Sequence, residues 1–364
     1  MSATSAQRGV SRRRILQAAV ALLAPVPYGA RAQQQRIPIA DMHSHYGMIT
    51  RKFAESGFAD ELRSQRVALV AWKLVADGRW IRSTSTGIEQ ASEPAPGDLA
   101  KFFNASLDRM KSYVAEHKLK TVLTPADVDA CIAGESGIVL ASEGADFLEG
   151  RVENLDAAYE KGLRHLQLVH YIRTPVGDFQ TNTPVHNGLS AMGKRLVEAC
   201  DAKGMLVDLA HSTAPAVDQA LEIAKAPLVW SHGWVDGNGG HWQDQYGFLQ
   251  RRLSLAHAKK IAARGGVVGL WGLGLSRPGL GWSVGARDTR AYARELASLV
   301  DKIGADHVAL GTDIEGVGPN WSVNDYSHVR SVLVHLQEIK LEASVIERLA
   351  YRNYARVLKS VLKA

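Results

Sequence analysis

Ile37-Pro38-Ile39-Ala40-Asp41-Met42-His43-Ser44-His45 is a short apolar run that ends in two histidines one residue apart. Ile37–Met42 reads as a buried strand, and the x between the histidines sets both rings on one side of an extended chain. Seven more such runs follow: Val67–Trp72, Gly137–Ser142, His165–Val169, Met205–Ala210, Pro227–Ser231, Gly266–Leu270 and His307–Gly311. Helical patterns separate them, among them Val152–Lys161, Ser190–Ala202, Ala214–Lys225, Leu255–Ala263 and Thr289–Ile303. Glycines at Lys161-Gly162 and Lys203-Gly204 suit left-handed helix ends, and Thr124-Pro125 suits a capped helix start. Eight strands with helical returns predict an α/β protein, a (β/α)8 TIM barrel.

The residues just past these strands carry the chemistry. Strand one runs into His43 and His45, strand three into Glu143, strand four into His170, strand five into His211, strand six into His232 and strand eight into Asp313. A barrel gathers such positions at one mouth. Packing alone does not explain why five of the 13 histidines stand there. Imidazoles and carboxylates without thiolates suit zinc first, with manganese, iron or cobalt as alternatives. One catalytic zinc needs three protein ligands, so this larger set predicts two divalent ions with Glu143 bridging them. Two such ions hold a hydroxide and polarise a carbonyl, the chemistry of a metal-dependent hydrolase acting on amides, esters or phosphoesters.

Charge and composition narrow the setting. With 46% hydrophobic and 22% charged residues in 364, the chain is globular. The net charge of +6 comes from the first 32 residues, which hold five arginines and no acid; the remainder has 38 basic against 37 acidic residues. A nucleic-acid partner is therefore not indicated. Ser11-Arg12-Arg13-Arg14-Ile15-Leu16-Gln17, the apolar stretch Ala18–Val26 and Ala30-Arg31-Ala32 resemble a twin-arginine signal peptide with its cleavage site. The apolar stretch is about half of the ~20 residues that span a bilayer, which argues against a stable membrane anchor. The reading is a leader over 1–32, recognised by export machinery, and one domain over 33–364 in the periplasm or outside the cell. Cys131 and Cys200 are expected as buried thiols.

Asp41-Met42-His43-Ser44-His45, Ser142-Glu143-Gly144, Leu168-Val169-His170 and Val207-Asp208-Leu209-Ala210-His211-Ser212 resemble the membrane (renal) dipeptidase family. Gly188-Leu189-Ser190, Ser231-His232, Arg251-Arg252, Gly311-Thr312-Asp313-Ile314-Glu315-Gly316-Val317, Asn353 and Arg356-Val357 extend the resemblance from Asp41 to about Val357. It implies a metal-dependent barrel with two zinc ions that hydrolyses dipeptides, often tolerating a D-residue at the C-terminal position. By the same resemblance His43 is a ligand of the first metal, Glu143 the bridge, and His211 and His232 ligands of the second. His170 contacts the scissile carbonyl, Arg252 holds the substrate carboxylate, and Asp313 moves the proton.

One position departs from the family. His45 stands where the family has aspartate, and His-x-His is instead the habit of the wider amidohydrolase superfamily. An imidazole there makes the site one unit more positive. Two alternatives follow: an amidohydrolase for N-acyl amino acids, lactams or other small amides, and a non-catalytic periplasmic metal- or peptide-binding protein. The segment from Ala76 to Asp98 reads as an inserted mouth loop, and Trp72, Trp80, Trp234, Trp242 and Trp271 are candidates to line the pocket. The sequence leaves a homodimer open.

Overall fold

Eight parallel strands close on themselves in the computed structural model, which describes residues 37–48, 57–84, 87–236, 250–277, 282–316 and 322–364. They are β1 (Ile39–Ser44), β2 (Val67–Val75), β3 (Gly137–Glu143), β4 (His165–Gln167), β5 (Leu206–Asp208), β6 (Val229–Trp230), β7 (Val267–Leu270) and β8 (Val308–Leu310). Each pairs with its neighbours in chain order, and β1 meets β8 at Asp41↔Leu310 to seal the ring. The longest ladder joins β2 to β3, from Leu69↔Gly137 to Val75↔Glu143. These strands are buried throughout apart from Val75, as expected of parallel strands covered by helices. The eight runs read from sequence all appear, with ends that coincide or shift by up to three residues. The leader expected over 1–32 and Trp242 lie outside the described residues.

Helices fill the returns: α1 (Phe58–Ser64), α2 (Asp98–Glu116), α3 (Pro125–Ala133), α4 (Asn154–Glu160), α5 (Ala191–Lys203), α6 (Ala214–Ile223), α7 (Leu255–Ala263), α8 (Thr289–Ile303) and α9 (Tyr326–Glu338). Helix α3 starts as its sequence implied, with a reciprocal capping box between Thr124 and Asp127 and Pro125 at the first turn. Gly204 closes α5 at φ 75°. Helix α2 was not among the expected patterns, although Leu99, Phe103, Leu107, Met110 and Val114 mark its buried stripe. After α9 the chain continues through Ala343–Glu347 and a π-helical turn, Arg348–Arg352, into Asn353–Val361.

The insert after β2 has structure of its own, an antiparallel hairpin of Ile81–Ser83 with Ile88–Gln90. Cys131 and Cys200 are buried, unpaired thiols. No helix of the described residues is long and apolar enough to cross a membrane.

Candidate active site

The strand ends bring five imidazoles and two carboxylates to one buried point. His45 Nε2 lies 2.9 Å from Glu143 Oε2, and His43 Nε2 lies 3.5 Å from the same oxygen. On the other carboxylate oxygen, His211 Nε2 stands at 3.0 Å and His232 Nε2 at 3.4 Å. Glu143 thus has one oxygen toward the β1 pair and the other toward the β5 and β6 pair. Asp313 Oδ1 lies 3.2 Å from His45 Nε2, while its Oδ2 accepts a hydrogen bond from Trp271 Nε1 at 2.6 Å. His170 Nε2 approaches Glu143 at 3.6 Å.

Three overlapping groups of these residues have the compactness of metal sites: His43–His45–Glu143, Glu143–His211–His232 and His43–His232–Asp313. A further observation fits the donors to cations. Nε2 of His211 and Oδ1 of Asp313 are buried and face other imidazole and carboxylate groups of the cluster itself. Polar atoms in such surroundings carry a desolvation cost that a coordinated cation removes.

The backbone is bent to aim these groups. His211 (φ 70°) and Asp313 (φ 55°) both occupy the left-handed region, which non-glycine residues rarely adopt and which recurs at functional sites. Gly316 is needed beside Asp313, because a Cβ there would lie 2.3 Å from Oδ1.

Outer contacts fix which nitrogen of each ring points inward. His45 Nδ1 donates to the Lys73 carbonyl at 2.9 Å, leaving Nε2 toward the site. Ser231 Oγ stands 3.0 Å from Nδ1 of both His43 and His232. His170 Nδ1 is 2.7 Å from Asp77, whose other oxygen accepts from the Tyr171 amide. Metal-binding histidines characteristically have such partners.

Beneath them lies a buried charged layer. Asp41 accepts from the backbone of His43 and from Thr312 and Tyr326. Asp208 accepts from the amides of Ala210 and Ser231 and pairs with Lys73 Nζ at 2.9 Å.

Titration follows from these contacts. Burial and the nearby Arg251 guanidinium hold His211 well below the ordinary histidine range; burial and the neighbouring His43 do the same for His232. Burial likewise lowers His43. Burial opposes protonation of His45 as well, but hydrogen bonds to Asp313 and Glu143 outweigh it and push that ring up to about 10. Glu143 is held well below the carboxylate range, against its own burial, by His170 and His43. An ionised Glu143 among mostly neutral rings is the protonation state that a divalent ion requires.

The arginine assignment needs correction. Arg251, not Arg252, reaches this cavity: its side chain is buried, 3.0 Å from the Tyr171 hydroxyl and 2.9 Å from His232 Nε2. Arg252 points the other way, with Nε 3.4 Å from Asp236, and lines a separate cleft beside Gln180 and Ser212. The short strand Arg252–Leu253 pairs with Trp234–Val235, and consecutive residues of an extended chain face opposite sides.

Of the candidate tryptophans, Trp271 lines the cavity. Trp72 packs in the core against Phe58 and Tyr113, Trp234 packs against Trp271, and Trp80 meets Phe102. Lys73, Asp77 and Tyr171 were not singled out from sequence, and Ser231 entered only as part of the Ser231-His232 motif. Lys73 alone had a visible signal, a charge inside an apolar strand.

The sequence profile of the membrane dipeptidase family, peptidase family M19, matches residues 30–364. The chain belongs to that family. It is an enzyme of the metallo-dipeptidase class, on a barrel shared with solved relatives. A dipeptidase described as a metallo peptidase superposes with a TM-score of 0.75 at 19% identity, covering 90% of this chain and all of that one. A Rhodobacter sphaeroides metallo peptidase, solved with a phosphinate mimic of L-Ala-D-Ala, gives 0.72 at 20% identity over 89% of this chain and 99% of that one.

Among curated sequences, an uncharacterized Klebsiella pneumoniae protein from the pqqA 5' region is 27% identical over 73% of this chain and 98% of its own length. The dipeptidase tcpJ of Claviceps purpurea is 24% identical over 63% of this chain, which spans about half of that protein (52%).

Proposed function

We propose that this family member is an exported dipeptidase that hydrolyses small peptides, L-D dipeptides included, at a centre holding two divalent ions, zinc first among them. The observation that carries the reading is Glu143, with one oxygen toward His43 and His45 and the other toward His211 and His232. When bound, the ions would supply Lewis acidity and an acidified water.

The protein's own groups do the rest. Arg251 receives the substrate carboxylate, for which a planar guanidinium fork is suited. His170, oriented by Asp77, hydrogen-bonds the scissile carbonyl oxygen as it gains negative charge. Asp313, steadied by Trp271, takes a proton from the attacking water and passes it to the departing amine as the C–N bond breaks.

The twin-arginine leader supports export of a chain that folds and loads metal before it crosses the membrane. The mimic bound to the Rhodobacter sphaeroides relative supports including L-D dipeptides among the substrates.

The test is a panel of L-L and L-D dipeptides with protein of known metal content. Turnover should disappear with a chelator and return with zinc. Asp313→Asn should keep its metal yet lose turnover by about 10²-fold or more, the usual scale of general acid–base catalysis. Full activity in that variant would remove Asp313 from the proton-transfer role.

A further inference from the structure

We infer that a second binding site, for a small neutral amide with an apolar substituent, lies behind the active site, and that its occupant acts on the residues of the first. Binding there does not depend on the proposed hydrolysis; its effect on turnover does.

The site is the cleft of about 390 Å³ that Arg252 lines beside Gln180 and Ser212, between the barrel wall and the starts of α6 and α7. Trp230 of β6 also lines it. Ser212 and Trp230 are 1% and 0% exposed, yet Ser212 Oγ and Trp230 Nε1 have no hydrogen-bond partner. Gln180 Oε1 is in the same state. Its orientation is fixed, because Nε2 of the same amide donates to the Arg252 carbonyl at 2.6 Å. Gly233 keeps the indole N–H uncovered, since a Cβ there would lie 2.8 Å from Trp230 Nε1. Polar atoms orphaned at such depth carry a desolvation cost, and a ligand in the cleft would supply the missing partners.

Those partners define the ligand. Trp230 Nε1 only donates, Gln180 Oε1 only accepts and Ser212 Oγ does either, so the ligand must present an acceptor and a donor together. All three groups are neutral. The charges of the cleft are already paired, Arg252 with Asp236 at 3.4 Å and His257 with Asp218 at 3.3 Å. An ion buried there would be left without a counter-charge of its own. A neutral amide meets every requirement: its carbonyl accepts from the indole, its N–H donates to Gln180, and its substituent packs on Val217 and Leu253.

The cleft and the active cavity stand back to back. Ser212 follows His211, Arg252 follows Arg251, and Trp230 precedes Ser231, whose hydroxyl touches both His43 and His232. One member of each pair belongs to the active site and its chain neighbour to the cleft. Gln180 adds a direct link, donating its backbone amide to the His211 carbonyl at 2.8 Å. A ligand that settles Ser212, Trp230 and Gln180 therefore acts on His211 and Ser231 across single peptide units.

Calorimetric titration of the full chain with N-acetyl-leucinamide tests the site, with N-acetyl-leucine and leucinamide as relatives that each carry one charge. The neutral amide should bind at one site per chain, and the charged pair about tenfold more weakly. Ser212→Ala and Trp230→Phe should each weaken it about fivefold, the loss of one hydrogen bond, with melting temperature as the check on folding. Arg251→Ala should leave it unchanged, because the probe has no carboxylate. With leucyl-alanine as substrate, saturating N-acetyl-leucinamide should shift kcat, and Ser212→Ala should raise the concentration needed about fivefold.

No binding, or binding that survives both cleft variants and is lost in Arg251→Ala, would overturn the second site. Tighter binding of either charged relative would overturn the neutral-amide assignment. Binding in the cleft with kcat unmoved would overturn the coupling. If no dipeptide is turned over, the hydrolytic reading fails, while the titration still decides the site.

Discussion

Ser231 offers the sharpest test of how the centre is held. Its hydroxyl is fully buried and lies 3.0 Å from Nδ1 of His43 and 3.0 Å from Nδ1 of His232. The oxygen has two lone pairs, so it can accept an N–H from both rings and leave both Nε2 lone pairs toward Glu143. His43 belongs to the group with His45 and Glu143, His232 to the group with His211 and Glu143, and both to the group with Asp313, so a single side chain orients candidate ligands across all three groups.

Ser231→Ala would strand two buried N–H donors, at about 1–3 kcal/mol each. The rings can avoid that cost by moving the proton to Nε2, where it blocks ligation. Outer-shell partners of this kind are worth about 10–100-fold in metal affinity. The expected result is a loss of metal affinity of that size, read by competition with a chromophoric chelator. The melting temperature of the metal-free protein serves as the control for folding. Unchanged metal affinity would refute the claim that Ser231 sets the tautomers.

Three further outcomes follow from the same contacts. Lys73→Met should destabilise the protein by about 3–5 kcal/mol in urea denaturation, because Asp208 would keep its charge in the barrel interior without its partner; a loss under about 1 kcal/mol would show that solvent reaches the pair. Arg251→Ala should raise KM for substrates with a free carboxylate far more than Arg252→Ala, since only the former lines the cavity; the reverse order would restore the sequence-based assignment.

The third concerns acid stability. Burial, reinforced by the Lys73 charge, lowers His165 from 6.5 to about 4. The unfolded chain therefore takes up this proton first. The stability contributed by the neutral ring is fully present above pH 6.5 and is lost as pH falls toward 4, by about 3 kcal/mol in total. His165→Gln should flatten that limb of the stability profile relative to the parent protein, and an identical slope would count against it.

The barrel was legible because its strands are self-contained signals: each is a buried apolar run, and its length matters less than its alternation with helices. The clustering of the candidate metal ligands was legible for the same reason, since a residue at a strand end inherits its position from the fold. His170 followed less directly, because β4 ends at Gln167 and the histidine sits on the loop beyond. What escaped depended on register or on distant pairing. Arg251 and Arg252 are adjacent, and only the pairing with Trp234–Val235 decides which one faces inward. Lys73 interrupts an apolar strand visibly, yet its partner Asp208 is 135 residues away. Asp77 lies within an insert that composition alone presents as a loop, and nothing local ties it to His170.

The buried charges beneath the centre make most sense as positioning devices. A buried ion pair such as Lys73–Asp208 gains little over an apolar pair of similar volume, so stability alone is a weak reason for its presence. Each charged residue, however, also anchors a strand end. Asp41 binds the amide of His43 and the Thr312 backbone and hydroxyl, joining β1 to the turn that carries Asp313. Asp208 binds the amides of Ala210 and Ser231, the residues immediately before His211 and His232. Lys73 presents its carbonyl to His45 from the same strand position whose ammonium neutralises Asp208. Three of the five predicted ligands are thereby tied to two charged side chains one layer down, and a fourth, His45, to the backbone of Lys73. Ligand geometry within a fraction of an ångström governs metal binding, and charge-assisted hydrogen bonds enforce such geometry better than apolar contacts of the same volume.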